Sequence, residues 1–289
     1  MFRFCDGLKS WTVALPNRLE DASSMFHFCS GLTSWTVALP NSLTSVYGMF
    51  YGCSGLTSWN GTLPDSITST NSMFSDCTGL KSWTVALPNS ITNTFLMFSG
   101  CKGLTSWTVA LPDSLTDAGS MFSGCTGLTE WTVALPNSIT SARNMFSGCT
   151  GLTEWTVALP DSLTNASYMF KNCSRLTSWT VALPNSLTDA SDMFSGCSSL
   201  TRFASNMPTG LTSNARYMFS GCKLDLTSVE RISSTIAECV GGGNITLGVS
   251  SELEGDETFN GYIENMRKSV KEGGKGWTVV VEYNGDEES

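Results

Sequence analysis

Residues 121–144 read MFSGCTGLTEWTVALPNSITSARN, and copies of this 24-residue unit make up most of the chain. Each copy opens with a methionine, at Met1, Met25, Met49, Met73, Met97, Met121, Met145, Met169 and Met193. Another, Met218, follows after 25 residues, and cysteine and proline keep nearly the same step. A fixed period of this length predicts a solenoid, because one unit is too small to bury its own apolar face and must stack on its neighbours.

The apolar residues of one unit are spread around the whole unit instead of recurring at helical spacing. Each unit is therefore predicted to be one coil around a shared core. Within the unit at 25–48, the segment 35–39 (WTVAL) alternates large apolar with small residues. This alternation predicts a short strand, which Pro40 ends because it lacks a ladder donor.

The spacing Leu32-x-x-Trp35-x-Val37, with Leu43 further on, resembles the leucine-rich repeat pattern. More narrowly, units that read MFSGCTGLT and then LPNSLT resemble the BspA-like repeats of surface proteins from bacteria, protists and their phages. The resemblance covers residues 1 to about 226. It implies a repeat solenoid, specifically a right-handed leucine-rich-repeat-like β-solenoid of about ten 24-residue coils. Trp stands where Leu or Ile is usual, so the curvature does not follow from the resemblance.

The repeat stops at Leu224, which divides the chain into a solenoid at 1–223 and a C-terminal α/β capping region at 224–289. The two parts also differ in charge, because 1–223 carries 11 Lys and Arg against 12 Asp and Glu, whereas 224–289 carries 5 against 13. A cap is expected to cover the open edge of the last coil and so prevent further strand pairing.

The capping region is predicted to contain two helices and two strands. Thr227-Ser-Val-Glu230 matches a capping box and predicts a helix to about Cys239, ended by the glycine run 241–243. A strand is predicted at 244–249 and another at 277–283. Between them a helix is predicted at 256–272, with these residues on its apolar side: Phe259, Ile263, Met266 and Val270.

Charge and hydropathy exclude two classes of partner. The chain has a net charge of −9 and no basic stripe, so we expect no nucleic-acid partner. No run of 18 apolar residues exists, so we expect no insertion into a membrane. The chain opens directly on a repeat, without the apolar stretch of a signal peptide. We therefore expect a secreted, cell-surface or virion-borne protein that uses another export route or is a fragment, and we expect a monomer.

Candidates for chemistry are few. One repeated column holds Cys5, Cys29, Cys53, Cys77, Cys101, Cys125, Cys149, Cys173, Cys197 and Cys222. These are predicted to be free buried thiols, with disulfides as the alternative. There is no Cys-x-x-Cys and only one histidine, His27, so no metal is expected. Glu130 and Glu154 are one unit apart and could pair, but are predicted to be solvated. With no nucleophile motif or phosphate loop, we predict no enzyme activity and no cofactor.

Two columns on the strand segment have alternative interpretations. The tryptophans, one in each of the first eight units, would form a sugar-stacking ladder if exposed, but their spacing predicts core packing. The outward threonines are Thr12, Thr36, Thr84, Thr108, Thr132, Thr156 and Thr180. A flat threonine row could bind ice, but threonine also favours strands on any solvated face.

The third surface is the pair of residues before each Met-Phe, which differs between units while nearly everything else is copied. This pair uses Tyr, Arg, Asn, Ser and Gly, the residue types that recognition surfaces favour. The candidate ligand-binding strip consists of Tyr47, Phe95, Arg143, Asn144, Tyr168, Arg216 and Tyr217. The alternative is unconstrained drift at an exposed turn.

The predicted function is non-catalytic recognition or adhesion at a cell surface, with a protein or glycan bound by the solenoid surface. A structural spacer without its own ligand is the first alternative. A phage receptor-binding protein and an ice-binding protein are further alternatives.

Overall fold

The computed structural model describes residues 2–211, 214–239, 243–268 and 277–285. Its elements in chain order are β1 (Ser10–Trp11), β2 (Ser34–Trp35), β3 (Ser58–Trp59), β4 (Ser178–Trp179), β5 (Arg202–Phe203), β6 (Asn214–Leu224), α1 (Leu226–Ile236), β7 (Asn244–Ser250), a 3-10 turn (Ser251–Leu253), α2 (Glu257–Lys268) and β8 (Thr278–Asn284).

Successive units stack in phase. Strands β1, β2 and β3 pair in parallel with Ser10 opposite Ser34 and Ser34 opposite Ser58. A second column of parallel bridges, which begins with Asp21 opposite Ser45, continues to Asp189 on the far side of the coils. Each step in both columns is one repeat, as the sequence predicts for stacked leucine-rich-repeat coils.

A third set of hydrogen bonds lies at the Met-Phe turn, and all of its bonds point the same way. Ser24, Phe26 and Phe28 donate their backbone N–H groups to carbonyls of the following coil at 2.7–2.9 Å. The same three bonds recur in the later coils. Two positions of each turn have positive φ. One is the residue directly before Met-Phe, such as Ser24 at φ 55°. The other is the second residue after Met-Phe, such as Phe28 at φ 55°. We call this set the forward ladder.

The core consists of columns of identical side chains. Neighbouring Phe rings, such as Phe122 and Phe146, stack nearly parallel with centroids 5.7 Å apart. Each Trp ring meets two Phe rings edge-on, as Trp131 does at 5.0 and 4.8 Å. Seven of the eight repeat tryptophans are buried, whereas Trp11 in the first coil is half-buried. The predicted inward direction of the tryptophan column is therefore confirmed.

The predicted five-residue strand at 35–39 is wrong, because the described strand stops at Trp35. The indole N–H of Trp35 donates to the backbone carbonyl of Val37 at 2.7 Å, and most other coils repeat this bond. The bond turns the chain at valine and takes its carbonyl out of the strand ladder. Val37 is only half-buried as a result, although Leu39 returns to the core.

In the central coils, the tryptophan rings lie farther apart than the phenylalanine rings. Ring centroids in the Trp column are 6.3–6.4 Å apart from Trp83 to Trp179. The Phe rings of the same coils are 5.6–5.9 Å apart. Both exceed the ~4.8 Å of paired strands. The wider ring spacing occurs where the central coils have no described strand pairing.

The region after the repeats continues the stack as a parallel sheet in the order β6-β7-β8. Gly221, in the last coil, occupies the position of a forward-ladder donor. Its backbone N–H donates instead to the carboxylate of Glu282 at 2.9 Å, and Ser220 Oγ donates to the same carboxylate. A side chain of β8 thus supplies the acceptor that a further coil would have supplied.

The predicted helices and strands of this region are present, with changed ends. Helix α1 is capped by Asp225, whose Oδ1 accepts from the Ser228 backbone N–H at 2.8 Å, so the predicted capping box from Thr227 to Glu230 is wrong. An acidic residue one position before the helix provides the stronger acceptor. Of the predicted helix residues, Val270 lies outside the described residues, as do positions 241 and 242 of the glycine run.

Candidate functional site

The backbone of the variable turn is held firmly by its neighbours. The carbonyl of the first residue of each variable pair accepts a forward-ladder bond, as Arg143 accepts from the Ser120 N–H at 2.8 Å. Where the residue two positions earlier is Asp or Asn, its side chain also accepts from the pair, as Asn93 Oδ1 does from the Phe95 N–H at 2.8 Å. The turn therefore offers differing side chains on a fixed, periodic backbone.

The structure exposes most of the seven predicted strip residues. Tyr47 is 59% exposed, and Phe95, Arg143, Arg216 and Tyr217 are also exposed. The other two, Asn144 and Tyr168, are half-buried and have positive φ.

One part of the strip forms a connected cluster. The Arg143 guanidinium lies 5.7 Å from the centre of the Tyr168 ring, which belongs to the following coil. Lys171 Nζ lies 4.9 Å from the same ring and forms a 2.9 Å ion pair with Asp192 of the next coil. The two cations, the tyrosine ring and the Asp192 carboxylate thus form one chain of contacts across three coils. Cation–π contacts of this kind also hold the tyrosine in place.

Sequence reasoning missed Lys171 and did not include Asp192 in the strip. The signal was present, because Lys171 stands in a column where most later units have serine. Asp192 belongs to a variable pair but lacks the aromatic or arginine character by which the strip was chosen. Its side chain is largely buried, so it positions Lys171 more than it faces a ligand.

The remaining strip residues are separated along the stack. Arg216 stacks over the adjacent Tyr217 ring at 4.6 Å and donates to its hydroxyl at 2.8 Å. Tyr47 and Phe95 are two coils apart, with Asn71 between them. The Phe95 ring extends over the next coil, where a Cβ on Gly119 would lie 3.1 Å from it. The strip is therefore a row of separate anchors with one connected cluster.

The alternatives raised by the sequence have weaker geometry. The seven outward threonines are exposed, but in the central coils they lie outside any described strand, so the flat sheet that an ice-binding row needs is missing there. Glu130 and Glu154 are both exposed. Among the residues that the structure describes, no group of three or more His, Cys, Asp or Glu is arranged to hold a metal ion.

All thiols of the cysteine column are free. All of them are buried except that of Cys5, which is half-buried. Each thiol from Cys53 onward in the column donates to the Phe carbonyl of the preceding coil, as Cys125 Sγ does to Phe98 O at 3.2 Å. Burial raises the pKa of Cys53 and of Cys125 to about 12. These thiols are core hydrophobes and not nucleophiles.

No helix in the described part of the chain could cross a membrane. Neither α1 nor α2 is long and apolar enough to span a bilayer.

Comparison with known proteins finds solved structures and a family model that this chain is similar to. Two solved structures are similar: a leucine-rich cell surface protein of Faecalibacterium prausnitzii A2-165 (20% identity, 71% of this chain and 81% of that chain, TM-score 0.28) and a leucine-rich repeat protein of Eubacterium ventriosum ATCC 27560 (17% identity, 75% and 77%, TM-score 0.37). Comparison with curated proteins gives no match. A family model described as a BspA type leucine rich repeat region (6 copies) matches residues 1–129, 95–189 and 119–240. The chain therefore belongs to the BspA-type leucine-rich repeat family.

Proposed function

We propose that this protein is a non-catalytic recognition module that binds a protein or glycan on a cell surface through the variable strip. The observation that carries the proposal is the contrast within each unit between a fixed backbone and varied side chains. Forward-ladder bonds hold every turn in the same position, yet the side chains at that turn include Tyr47, Arg143 and Tyr168.

A fixed backbone lowers the entropy that a binding surface loses when a ligand is bound. Tyr and Arg add large contact area with little loss of freedom, which makes them the usual centres of binding energy. Because the anchors recur along the stack, mostly on every second coil, several weak contacts can act on one extended ligand at once. The strip therefore favours an extended or repetitive partner.

Other features of the protein are part of the same proposal. We propose about ten coils with a right-handed course at 1–223 and a cap at 224–289, and the contact of Glu282 with the last coil supports the cap. We also propose that the protein is displayed at a cell surface, secreted or carried on a virion, and acts as a monomer. The acidic cap would keep the stack soluble.

The test is a variant in which Tyr47, Arg143, Tyr168, Arg216 and Tyr217 are all changed to Ser. Binding to arrays of glycans and of host surface proteins is measured for the parent and the variant. The parent is expected to bind at least one class of target, and the variant to lose that binding with little change in thermal stability, because exposed turns contribute little to the core.

A matched control changes five outward threonines to Ser: Thr84, Thr108, Thr132, Thr156 and Thr180. These threonines are all exposed and lie on a different column, so binding is expected to persist. Loss of binding in the threonine control alone would move the site to that face. A parent that binds no target on either array would favour the structural spacer.

A further inference from the structure

A column of positive-φ residues follows each Met-Phe, and its first two members are anomalous. The column reads Phe4, Phe28, Gly52, Asp76, Gly100, Gly124, Gly148, Asn172, Gly196 and Gly221, and every member has φ between 55° and 75°. Gly, Asn and Asp are the residues that tolerate this conformation, whereas a bulky side chain is an outlier there. Phe4 and Phe28 therefore occupy the column against its backbone preference.

Burial does not explain the two phenylalanines either. Phe4 is 66% exposed and Phe28 is 39% exposed. Their rings stack on each other with centroids 5.5 Å apart and an angle of 15°. A strained backbone that holds exposed aromatic rings is a common property of binding sites.

Neighbouring residues complete an aromatic cluster. Tyr51 meets the Phe28 ring edge-on at 5.4 Å and stacks on His27 at 4.8 Å. Gly52 leaves the space for the Phe28 ring, because a Cβ at that position would overlap the ring. The nearby Asp76 carboxylate raises the pKa of the Tyr51 hydroxyl, which places a negative charge beside the aromatic cluster.

The Phe4 and Phe28 rings form one wall of an open groove of about 530 Å³, which extends over the first four coils. Its lining includes Phe4, Phe28, Asp6 and Asp76, and none of the described residues that line it is Lys or Arg. Asp6 already accepts a bond from Ser30 Oγ at 2.7 Å, which orients its carboxylate. The groove thus combines exposed aromatic rings with two carboxylates, and no Lys or Arg among its described lining residues neutralises them.

We propose that this aromatic groove binds an extended basic segment of a partner protein, with Arg or Lys side chains placed between the Phe4 and Phe28 rings and the carboxylates of Asp6 and Asp76. A cation gains from the ring faces and from the carboxylates together, whereas a neutral ligand gains little from the charge. Four coils span about 15 Å, which matches about four extended residues. The proposal is independent of the variable strip and does not rest on it.

The probe is the peptide acetyl-Arg-Gly-Arg-amide, titrated into the full chain and followed by NMR chemical shifts or calorimetry. Its matched control is the same peptide with citrulline for arginine, which keeps the shape and removes the charge. The arginine peptide is expected to bind about tenfold more tightly. Its affinity is also expected to fall with added salt.

The decisive variant is Phe4→Gly with Phe28→Gly, which restores the residue that most coils use in this column. It is expected to fold at least as well as the parent, because glycine suits positive φ. Its affinity for the arginine peptide should fall by tenfold or more. A second variant, Asp76→Asn, keeps a residue that tolerates positive φ. It should lower the affinity for the arginine peptide and leave that for the citrulline peptide unchanged. Val13→Ser, an exposed apolar residue outside both the groove and the variable strip, serves as the control without effect.

Three outcomes would overturn the proposal. Equal affinity for the arginine and citrulline peptides would remove the role of charge. Unchanged binding in the double glycine variant would place the peptide elsewhere. A neutral oligosaccharide that binds the parent, fails with the double glycine variant and displaces neither peptide would assign the groove to glycans instead.

Discussion

The buried thiol column should make the protein unusually sensitive to alkaline pH. Burial raises the pKa of Cys53, Cys125 and Cys173 to about 12, from an ordinary value of 9.0. The folded state therefore keeps these thiols protonated when the unfolded state has already ionised them. Stability from this source is complete below pH ~9 and is lost as the pH rises from there toward ~12.

The magnitude follows from linkage. At pH 10, each thiol that ionises near 9 when unfolded and near 12 when folded removes about 1.4 kcal/mol from the free energy of unfolding. The three thiols named above would together remove about 4 kcal/mol, against a typical total of about 5–15 kcal/mol. Other thiols of the column have their pKa raised in the same direction by burial, including Cys77 and Cys149. We expect the protein to unfold at about pH 10 to 11.

The assay is denaturant unfolding followed by circular dichroism, under reducing conditions, at a series of pH values from 7.5 to about 10.5. Lysines and tyrosines also titrate in this range, so the parent is compared with Cys125→Ala. Between pH 8 and 10 the variant should lose about 1.4 kcal/mol less than the parent. Thr126→Ala, an exposed neighbour without a titrating group, should follow the parent.

An identical pH dependence in Cys125→Ala and in the parent would refute this reasoning. That result would mean that the thiol ionises as easily in the coil as in the unfolded chain. The column would then be open to water, contrary to its burial.

Two further predictions concern the core and the end of the stack. Trp107→Ala should lower the free energy of unfolding, measured with denaturant, by about 3–5 kcal/mol. Trp11→Ala removes a half-buried ring in the first coil and should lower it by at most half as much. Equal losses in the two variants would contradict the inward packing. Deleting 225–289 removes the acceptor Glu282 and uncovers the edge of β6, so analytical ultracentrifugation should show end-to-end association, whereas a monomer as stable as the parent would show that the region is no cap.

The sequence predicted the stacking because the same spacing is repeated many times. The inward direction of Trp35 followed from the resemblance of the Leu32-x-x-Trp35-x-Val37 spacing to leucine-rich repeats, and the structure buries it. The length of the strand was not predictable in the same way, since the bond from the indole to the Val37 carbonyl depends on where the ring lies in the core. Alternation alone cannot show that a side chain will compete for a backbone carbonyl.

The candidate site was predicted only in part. Comparing units found the variable pair, and two of its members, Arg143 and Tyr168, do come into contact. The aromatic groove was missed, because the sequence does not show backbone φ directly. The clue was the use of Gly, Asn and Asp in one column, against which Phe4 and Phe28 stand out.

The forward ladder has a consequence for how such a gene could change in length. Each Met-Phe turn donates its amides to the coil ahead and accepts from the coil behind, so every unit presents the same forward-ladder groups on its two sides. A whole unit inserted within the stack would accept on one side and donate on the other, and Glu282 would still meet the final amide. Whole units can thus be gained or lost by unequal recombination without a compensating change in their neighbours, and each unit gained or lost brings or removes one variable pair.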